Sequence, residues 1–205
     1  YKFLAEKQTA VHDSGFEIAD EDLNPKLFTF QRYCVKRALK TGRFAMFEDC
    51  GLGKTFQQLE WAYQVQKHIN RPVLILAPLG VIGQTIKEGE HFGYEVKEIG
   101  LTVFDQDLKA GIYITNYDNM ENIDAYLFGG VVLDESSILK NFAGKTRTAL
   151  IEDFKDTPYK LCCTATPSPN DTTELCNHAE FLNVMTRNEM LAMYFVHDGG
   201  STSDW

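Results

Sequence analysis

The residues with the clearest chemical content are Glu48-Asp49-Cys50-Gly51-Leu52-Gly53-Lys54-Thr55 and, far downstream, Asp134-Glu135-Ser136-Ser137. In the first group, Gly51 and Gly53 free the backbone to turn its N–H groups inward around an anion. A helix opening at Thr55 adds the positive end of its dipole. Lys54 stands where it reaches the β- and γ-phosphates of a nucleoside triphosphate, and the Thr55 hydroxyl is a ligand for Mg²⁺. The full phosphate-loop pattern, G-x-x-x-x-G-K-[ST], asks for glycine where this chain has Glu48. Taken alone, the stretch therefore also reads as an ordinary strand-turn-helix with a surface lysine.

The second group ends an apolar run, Val131-Val132-Leu133, in two carboxylates. Strand alternation sends Asp134 and Glu135 in different directions, which suits two tasks. Asp134 can hold Mg²⁺, largely through water, while Glu135 orients and deprotonates an attacking water. Taken alone, such a strand end is also a common polar turn.

Elements that position these groups are visible in the hydrophobic pattern. Strands are predicted at Phe44 to Phe47, Val73 to Leu76, Val96 to Ile99, Ile112 to Thr115, Val131 to Leu133 and Tyr159 to Cys163, most of them short and apolar. Between them, helical spacing predicts one helix carrying Val35, Ala38 and Leu39 and stopped at Thr41-Gly42. A second runs from Thr55 to Ile69, with Leu59, Ala62, Tyr63 and Ile69 on one side, and a third from Val81 to His91. Further helices are expected at Asn119 to Ala125, Thr146 to Phe154 and Asp171 to Leu182. Strands alternating with helices predict an α/β fold, a mostly parallel sheet covered by helices on both faces. Ligands in such sheets lie beyond the carboxyl ends of the strands, where both chemical groups fall. Trp61 and the helical Tyr and Phe residues read as core.

Composition narrows the function classes. The 205 residues are 44% hydrophobic and 12% aromatic, enough to bury a core. No apolar run approaches the ~20 residues that span a bilayer, so no membrane role is expected. The start shows no signal peptide and no initiator Met, as in a trimmed or excised chain. Five cysteines without a C-x-x-C pair read as reduced thiols in a cytoplasmic protein rather than disulfides or a zinc site. Cys50 reads as a tolerated small residue of the loop whose oxidation would block nucleotide. The histidines show no metal-binding spacing. A net charge of −9, from 20 basic and 29 acidic residues, argues against strong nonspecific nucleic-acid binding by this segment alone. The triplet Asp20-Glu21-Asp22 reads as solvated surface.

The order of the motifs resembles superfamily two helicases, within them the Swi/Snf-like branch, and most of all the DEAD/DEAH-like helicases of phages and prokaryotes. Gln31, in Phe28-Thr29-Phe30-Gln31-Arg32, matches the glutamine that reads adenine. Asp49 to Thr55 matches their motif I, which needs no glycine at 48. Ala77-Pro78 matches motif Ia, Thr115-Asn116-Tyr117 the motif Ib region, Asp134-Glu135-Ser136-Ser137 motif II with Ser-Ser at its end, and Thr164-Ala165-Thr166-Pro167 with Asn170 motif III.

The resemblance implies a RecA-like P-loop domain over residues 27–182, after a lead-in at 1–26 and before a segment at 183–205. The His197 to Trp205 tail of that segment looks like the start of a linker to a second RecA-like domain of the same full-length chain. It implies ATP and Mg²⁺ as cofactors. Lys54, Asp134 and Glu135 are then catalytic, with Gln31, Asp49, Cys50, Gly51, Leu52, Gly53 and Thr55 also around the nucleotide. Ser136, Ser137, Thr164 and Thr166 relay its state, Ser137 through a hydrogen bond to Thr164 or Thr166. Pro78, Thr115, Asn116 and Tyr117 meet a nucleic-acid backbone, with little sequence preference. Lys87, Lys140 and Lys145 stand nearby in sequence but read as solvated. The track is expected to be double-stranded DNA in a bacterial or phage-infected cell. Because the second domain supplies an arginine finger worth ~10³ to 10⁵ in rate, the isolated segment is expected to hydrolyse ATP slowly. The alternatives are an RNA helicase, a P-loop switch that acts on no nucleic acid, and a scaffold that needs no ATP; only the last leaves Lys54, Thr55, Asp134 and Glu135 without a purpose.

Overall fold

The computed structural model describes residues 13–100, 108–141 and 143–195. Six strands form one sheet: β1 (Arg43–Phe47), β2 (Val73–Ala77), β3 (Val96–Glu98), β4 (Ile112–Asn116), β5 (Gly130–Asp134) and β6 (Tyr159–Thr164). Their order is β1-β6-β5-β2-β4-β3 and every pairing is parallel. Residues in β2, β5 and β6 alternate between two cores. Val73, Ile75, Val132, Leu161 and Cys163 face one, while Leu74, Leu76, Val131, Leu133 and Cys162 face the other. Both faces are therefore buried, as the unbroken apolar runs require.

Helices α1 (Thr29–Thr41), α2 (Lys54–Ile69) and α3 (Ile82–Phe92) cover the first face. Helices α4 (Lys145–Asp153) and α5 (Leu175–Phe181) cover the second, and α6 (Arg187–Tyr194) follows. Helix α1 stops where Gly42 adopts φ 74° and returns its N–H to the Ala38 carbonyl. Helix α2 lies between α1, α3 and the sheet, so it is buried on more than its apolar side: Gln57, Gln58, Glu60 and Gln64 are interior, and Trp61 is fully so. Tyr63, placed by spacing on the core side, is instead exposed.

Other departures from the sequence reading have local causes. The helix expected at Asn119 to Ala125 is two 3₁₀ segments, Tyr117–Asn122 and Ala125–Leu127. Asn116 and Asp124 accept backbone N–H bonds at 3.0 Å from Asn119 and Tyr126, and such short caps compete with an α-helix. Asp171 likewise caps a 3₁₀ turn, Thr172–Glu174, so α5 begins only at Leu175. In the segment read as leading to a linker, Thr186 and Glu189 form a reciprocal capping box that starts α6. The His197 to Trp205 tail lies outside the described residues. So do residues 1–12 of the lead-in, but the rest of it is packed onto the domain: Leu23 is core, and Ser14, Gly15 and Phe16 donate backbone N–H bonds to Thr41, Lys40 and Leu39. Asp20, Glu21 and Asp22 are exposed, with Asp20 paired to Lys36 at 2.6 Å.

Because all strands run one way, their carboxyl ends share one rim. Register aligns Phe47 with Thr164, Asp134 with Cys163, and Ala77 with Asn116. The segments following β1, β2, β4, β5 and β6 are thereby gathered on one side of the sheet.

Candidate active site

The loop after β1 folds back against α1. Gly51 and Gly53 hold φ of 82° and 76°, and Lys54 opens α2 directly behind them. At Gly53 a second demand is added: a Cβ would lie 2.5 Å from Gln31 Nε2, so the amide would have to move away from the loop. That amide donates to the Leu52 carbonyl at 2.9 Å, while Gln31 Oε1 accepts the Phe28 N–H at 3.0 Å. Gln31 thus caps α1 and pins the loop with the two ends of one side chain. Lys54 Nζ donates to the carbonyls of Glu48 and Asp49 at 2.9 and 3.0 Å. The Asp49 carboxylate accepts the N–H of Cys50, which is exposed.

Glu48, the residue in place of the expected glycine, has a task of its own. Its carboxylate accepts from Gln57 Nε2 at 2.6 Å, tying the start of the loop to the first turns of α2. One residue on, Gln58 Nε2 donates to Asp134 Oδ1 at 2.7 Å. Burial pushes the Asp134 carboxyl above its ordinary value, an effect that this bond and the nearby Lys54 charge oppose. The Asp134 carbonyl accepts the Tyr117 hydroxyl at 2.6 Å.

Glu135 is not a further strand residue. It turns out of β5 with φ 52° and ψ 54°, so its direction is set by a left-handed backbone rather than by alternation. Its Oε2 accepts the Thr164 hydroxyl at 3.3 Å, and the same hydroxyl accepts the Thr166 N–H at 3.1 Å. The expected bond from Ser137 to Thr164 or Thr166 is absent among the described residues; Glu135 itself makes the connection. Ser136 is fully buried, with its hydroxyl 3.1 Å from His178 Nε2. Asn170 donates its backbone N–H and its amide to Glu174, at 3.3 and 2.8 Å, fastening the segment after β6 to the helix that follows.

Pro78, Asn116 and Tyr117 meet Glu135, Ser137 and Lys140 around one groove of about 350 Å³. Thr115 does not join them. It is buried, its hydroxyl donating to the Ile99 carbonyl at 3.1 Å and accepting from Asn119 at 3.0 Å, so it shapes the turn from inside. Lys87, Lys140 and Lys145 are exposed. Gln57, Gln58 and His178 are site residues that sequence reasoning passed over. Two adjacent glutamines on the helix after a phosphate loop were the available signal; for His178 there was none.

The donor set fits a nucleotide with a magnesium ion. The glycine turns present backbone N–H groups and Lys54 stands beside them, while Thr55 and Asp134 offer one hydroxyl and one carboxylate. Mg²⁺ takes just such a partial set, completed by phosphates and water. Among the described residues no three His, Cys, Asp or Glu side chains form a self-sufficient metal cage. The buried Oε1 atoms of Gln57 and Gln58, beside the loop and Asp134, have no hydrogen-bond partner.

A family model described as the SNF2-related domain matches residues 32–191. Protein p41 of Acyrthosiphon pisum secondary endosymbiont phage 1 is 28% identical over 184 residues, covering 77% of this chain and 40% of that protein. The human DNA repair and recombination protein RAD54B is 30% identical over 173 residues, 73% of this chain and 19% of its own length. The chain thus spans less than half the length of these curated relatives. Among solved structures, the Sulfolobus solfataricus SWI2/SNF2 ATPase core in complex with dsDNA superposes with a TM-score of 0.71 at 21% identity, over 88% of this chain and 41% of that one. The UvsW helicase from bacteriophage T4 gives 0.66 at 15% identity, over 85% and 68%. At these identities the structures carry the fold: a RecA-like sheet.

Proposed function

Because the chain belongs to the SNF2-related domain family, we propose that it is the ATP-binding half of a motor that couples ATP hydrolysis to movement along double-stranded DNA. The observation that carries this is the junction of Asp134, Glu135 and Thr164 beside the phosphate loop. Adjacent residues offer a carboxylate for the metal, held by Gln58, and a carboxylate for water, which accepts the Thr164 hydroxyl and also lines the groove.

When bound, Mg²⁺ neutralises charge developing on the phosphates. Gln31 holds the loop beside the adenine position and Lys54 swings from the Glu48 and Asp49 carbonyls to phosphate oxygens. Thr55 and Asp134 hold the metal, and Gln58 keeps the Asp134 carboxylate oriented. Glu135 takes the proton of the attacking water. Thr164 senses Glu135 and passes its state to Thr166, while Ser136 and Ser137 connect the same turn to the groove. Pro78, Asn116 and Tyr117 line the path for a DNA backbone, with Lys140 as a nearby cation.

A second RecA-like domain in the same full-length chain completes the site, a reading supported by the greater length of both relatives. Without it the segment binds ATP and turns it over slowly. The phage relative and the absence of disulfide partners among the described residues support a place in the cytoplasm of a bacterial or phage-infected cell. No helix of the described residues is long and apolar enough to cross a membrane.

The test is the ATPase rate of the full-length protein with and without duplex DNA, with Glu135→Gln as control. Stimulation by the duplex that Glu135→Gln reduces by ~10² or more supports the motor. Stimulation by RNA alone makes it an RNA helicase, and basal hydrolysis indifferent to either polymer makes it a switch.

A further inference from the structure

The left-handed turn at Glu135 needs a cause. A non-glycine residue keeps such a backbone only when its surroundings over-determine it. On the strand side the turn is held by the β5 ladder and by Tyr117 on the Asp134 carbonyl. On the other side it leads at once into a 3₁₀ segment, Ser136–Lys140, opened by the bond from the Ile138 N–H to the Glu135 carbonyl. That segment is fastened by two neighbours on α5. Asn177 Nδ2 donates to the carbonyls of Leu139 and Lys140, at 2.8 and 3.2 Å, and secures its far end. At its near end stands His178, 3.1 Å from the buried Ser136 hydroxyl.

His178 reaches further. Its ring is almost wholly buried and meets Phe47 edge-on, with centroids 5.1 Å apart and planes at 83°. Phe47 is the last residue of β1, immediately before the loop that begins at Glu48. One imidazole therefore touches both the residue after Glu135 and the residue before the phosphate loop. Its helix is in turn tied to the segment after Thr164 through Asn170 and Glu174. Leu133, Leu139, Cys162 and Phe181 are in the core on the same side of the sheet, while the Glu174 backbone and carboxylate also act on the ring. A polar ring persists in such a place only with a partner. Burial holds the imidazole below its ordinary pKa, so it is neutral and offers Ser136 a hydrogen bond without a buried charge.

We propose that His178 is a positioning residue for ATP hydrolysis, acting through Ser136 to hold the turn that aims Glu135 and, through Phe47, to set that turn against the phosphate loop. It touches neither nucleotide nor water, and the inference rests on the hydrolytic reading of Glu135 above.

Three variants of the full-length protein test it: His178→Leu, which removes the ring's polar atoms; His178→Gln, which returns an amide near the position of Nε2; and Ser136→Ala. For each, kcat and KM for ATP are measured with saturating duplex DNA, together with the melting temperature. His178→Leu is expected to lower kcat by ~10- to 100-fold with KM for ATP changed no more than about twofold, since Lys54 and the loop glycines are untouched. His178→Gln restores most of kcat. Ser136→Ala resembles His178→Leu, and the double variant is no worse than either single one, because both remove the same link. A His178→Leu protein that melts lower but turns over at the parent kcat reduces the residue to a packing role and overturns the proposal, as does additivity of the two losses. Glu135→Gln, run alongside, separates the two levels. A parent whose hydrolysis survives Glu135→Gln sinks the hydrolytic reading and this inference together. Normal loss in Glu135→Gln with full activity in His178→Leu sinks this inference alone.

Discussion

The Thr164 hydroxyl stands 3.3 Å from Glu135 Oε2 and at the same time accepts the Thr166 N–H, so the end of β6 reads the position of the carboxylate at the end of β5. Thr164 is fully buried whereas Glu135 is exposed, so the contact lies where the interior meets the open rim of the sheet. Replacing it by valine keeps the shape and deletes the relay. Thr164→Val is expected to bind ATP within about twofold of the parent while DNA-stimulated hydrolysis falls by ~10-fold or more; Thr164→Ser keeps most of the activity. Equal stimulated rates in the valine variant and the parent refute the relay.

Asp134 sits in a site that costs stability. The folded carboxyl titrates above its ordinary value of 3.8, chiefly because it is buried. Between the two values the folded protein holds a proton that the unfolded chain has released, so stability falls as pH rises through that window and the full cost is present above it. Asp134→Asn removes the charge and can still accept from Gln58. It is expected to abolish hydrolysis and to raise the melting temperature at pH 7, by ~2–4 °C for each kcal/mol relieved in a domain of this size. Melting curves of both proteins from pH 7 downward check the sign: the gap closes as pH falls to the ordinary carboxylate range.

Gln58 meets the same carboxylate from α2, at 2.7 Å. Gln58→Leu frees Asp134 to turn and leaves its buried charge without that donor. A Mg²⁺ titration of the ATPase is expected to shift its midpoint upward by ~10-fold, with the rate at saturating Mg²⁺ less affected. An unchanged midpoint shows that the bond only packs α2 against the sheet.

Tyr117 and Lys140 line the same groove but differ in kind. The Tyr117 hydroxyl is spent on the Asp134 carbonyl, whereas Lys140 is exposed. Tyr117→Phe is expected to cost ~1 kcal/mol of stability and to lower hydrolysis, with DNA affinity nearly unchanged. Lys140→Ala is expected to weaken duplex binding and to flatten its salt dependence by about one ion, with the DNA-free ATPase intact. Binding isotherms at several salt concentrations separate the two, and the reverse pattern would falsify the assignment of roles within the groove.

Gln31 joins two jobs in one side chain, capping α1 and holding Leu52. Gln31→Ala is expected to lose ~0.5–2 kcal/mol through the lost cap and to bind ATP more weakly, with less preference over GTP. Gly53→Ala, which places a Cβ on a backbone at φ 76° and displaces the Gln31 amide, is expected to lose nucleotide binding more completely. Calorimetric titration with both nucleotides decides: a Gln31→Ala protein that keeps full preference for ATP shows that adenine is read elsewhere.

What the sequence determined by itself was whatever is local in the chain. The apolar run Val73 to Ala77, and Tyr159 to Thr164 despite its Lys160, are strands buried on both faces, and the structure has them in one parallel sheet. Glycines before a lysine marked the turn into α2, because only that backbone freedom lets the loop close on Gln31. Thr186-x-x-Glu189 was equally legible as a helix start, and it lay unread inside a segment taken for the approach to a linker. The order of the strands and every contact between the motifs were decided by tertiary structure. Gln58 and Asp134 are 76 positions apart, and Ser136 and His178 are 42 apart. No spacing rule reaches across such distances. Parallel pairing put Phe47 beside Thr164 and Asp134 beside Cys163, and only then could Glu135, turned out by its left-handed backbone, meet a hydroxyl from another strand. Glutamine, threonine and histidine are unremarkable in a sequence because each is at home on a surface. Their meaning here came from burial, which leaves a polar atom no partner but the one the fold brings to it.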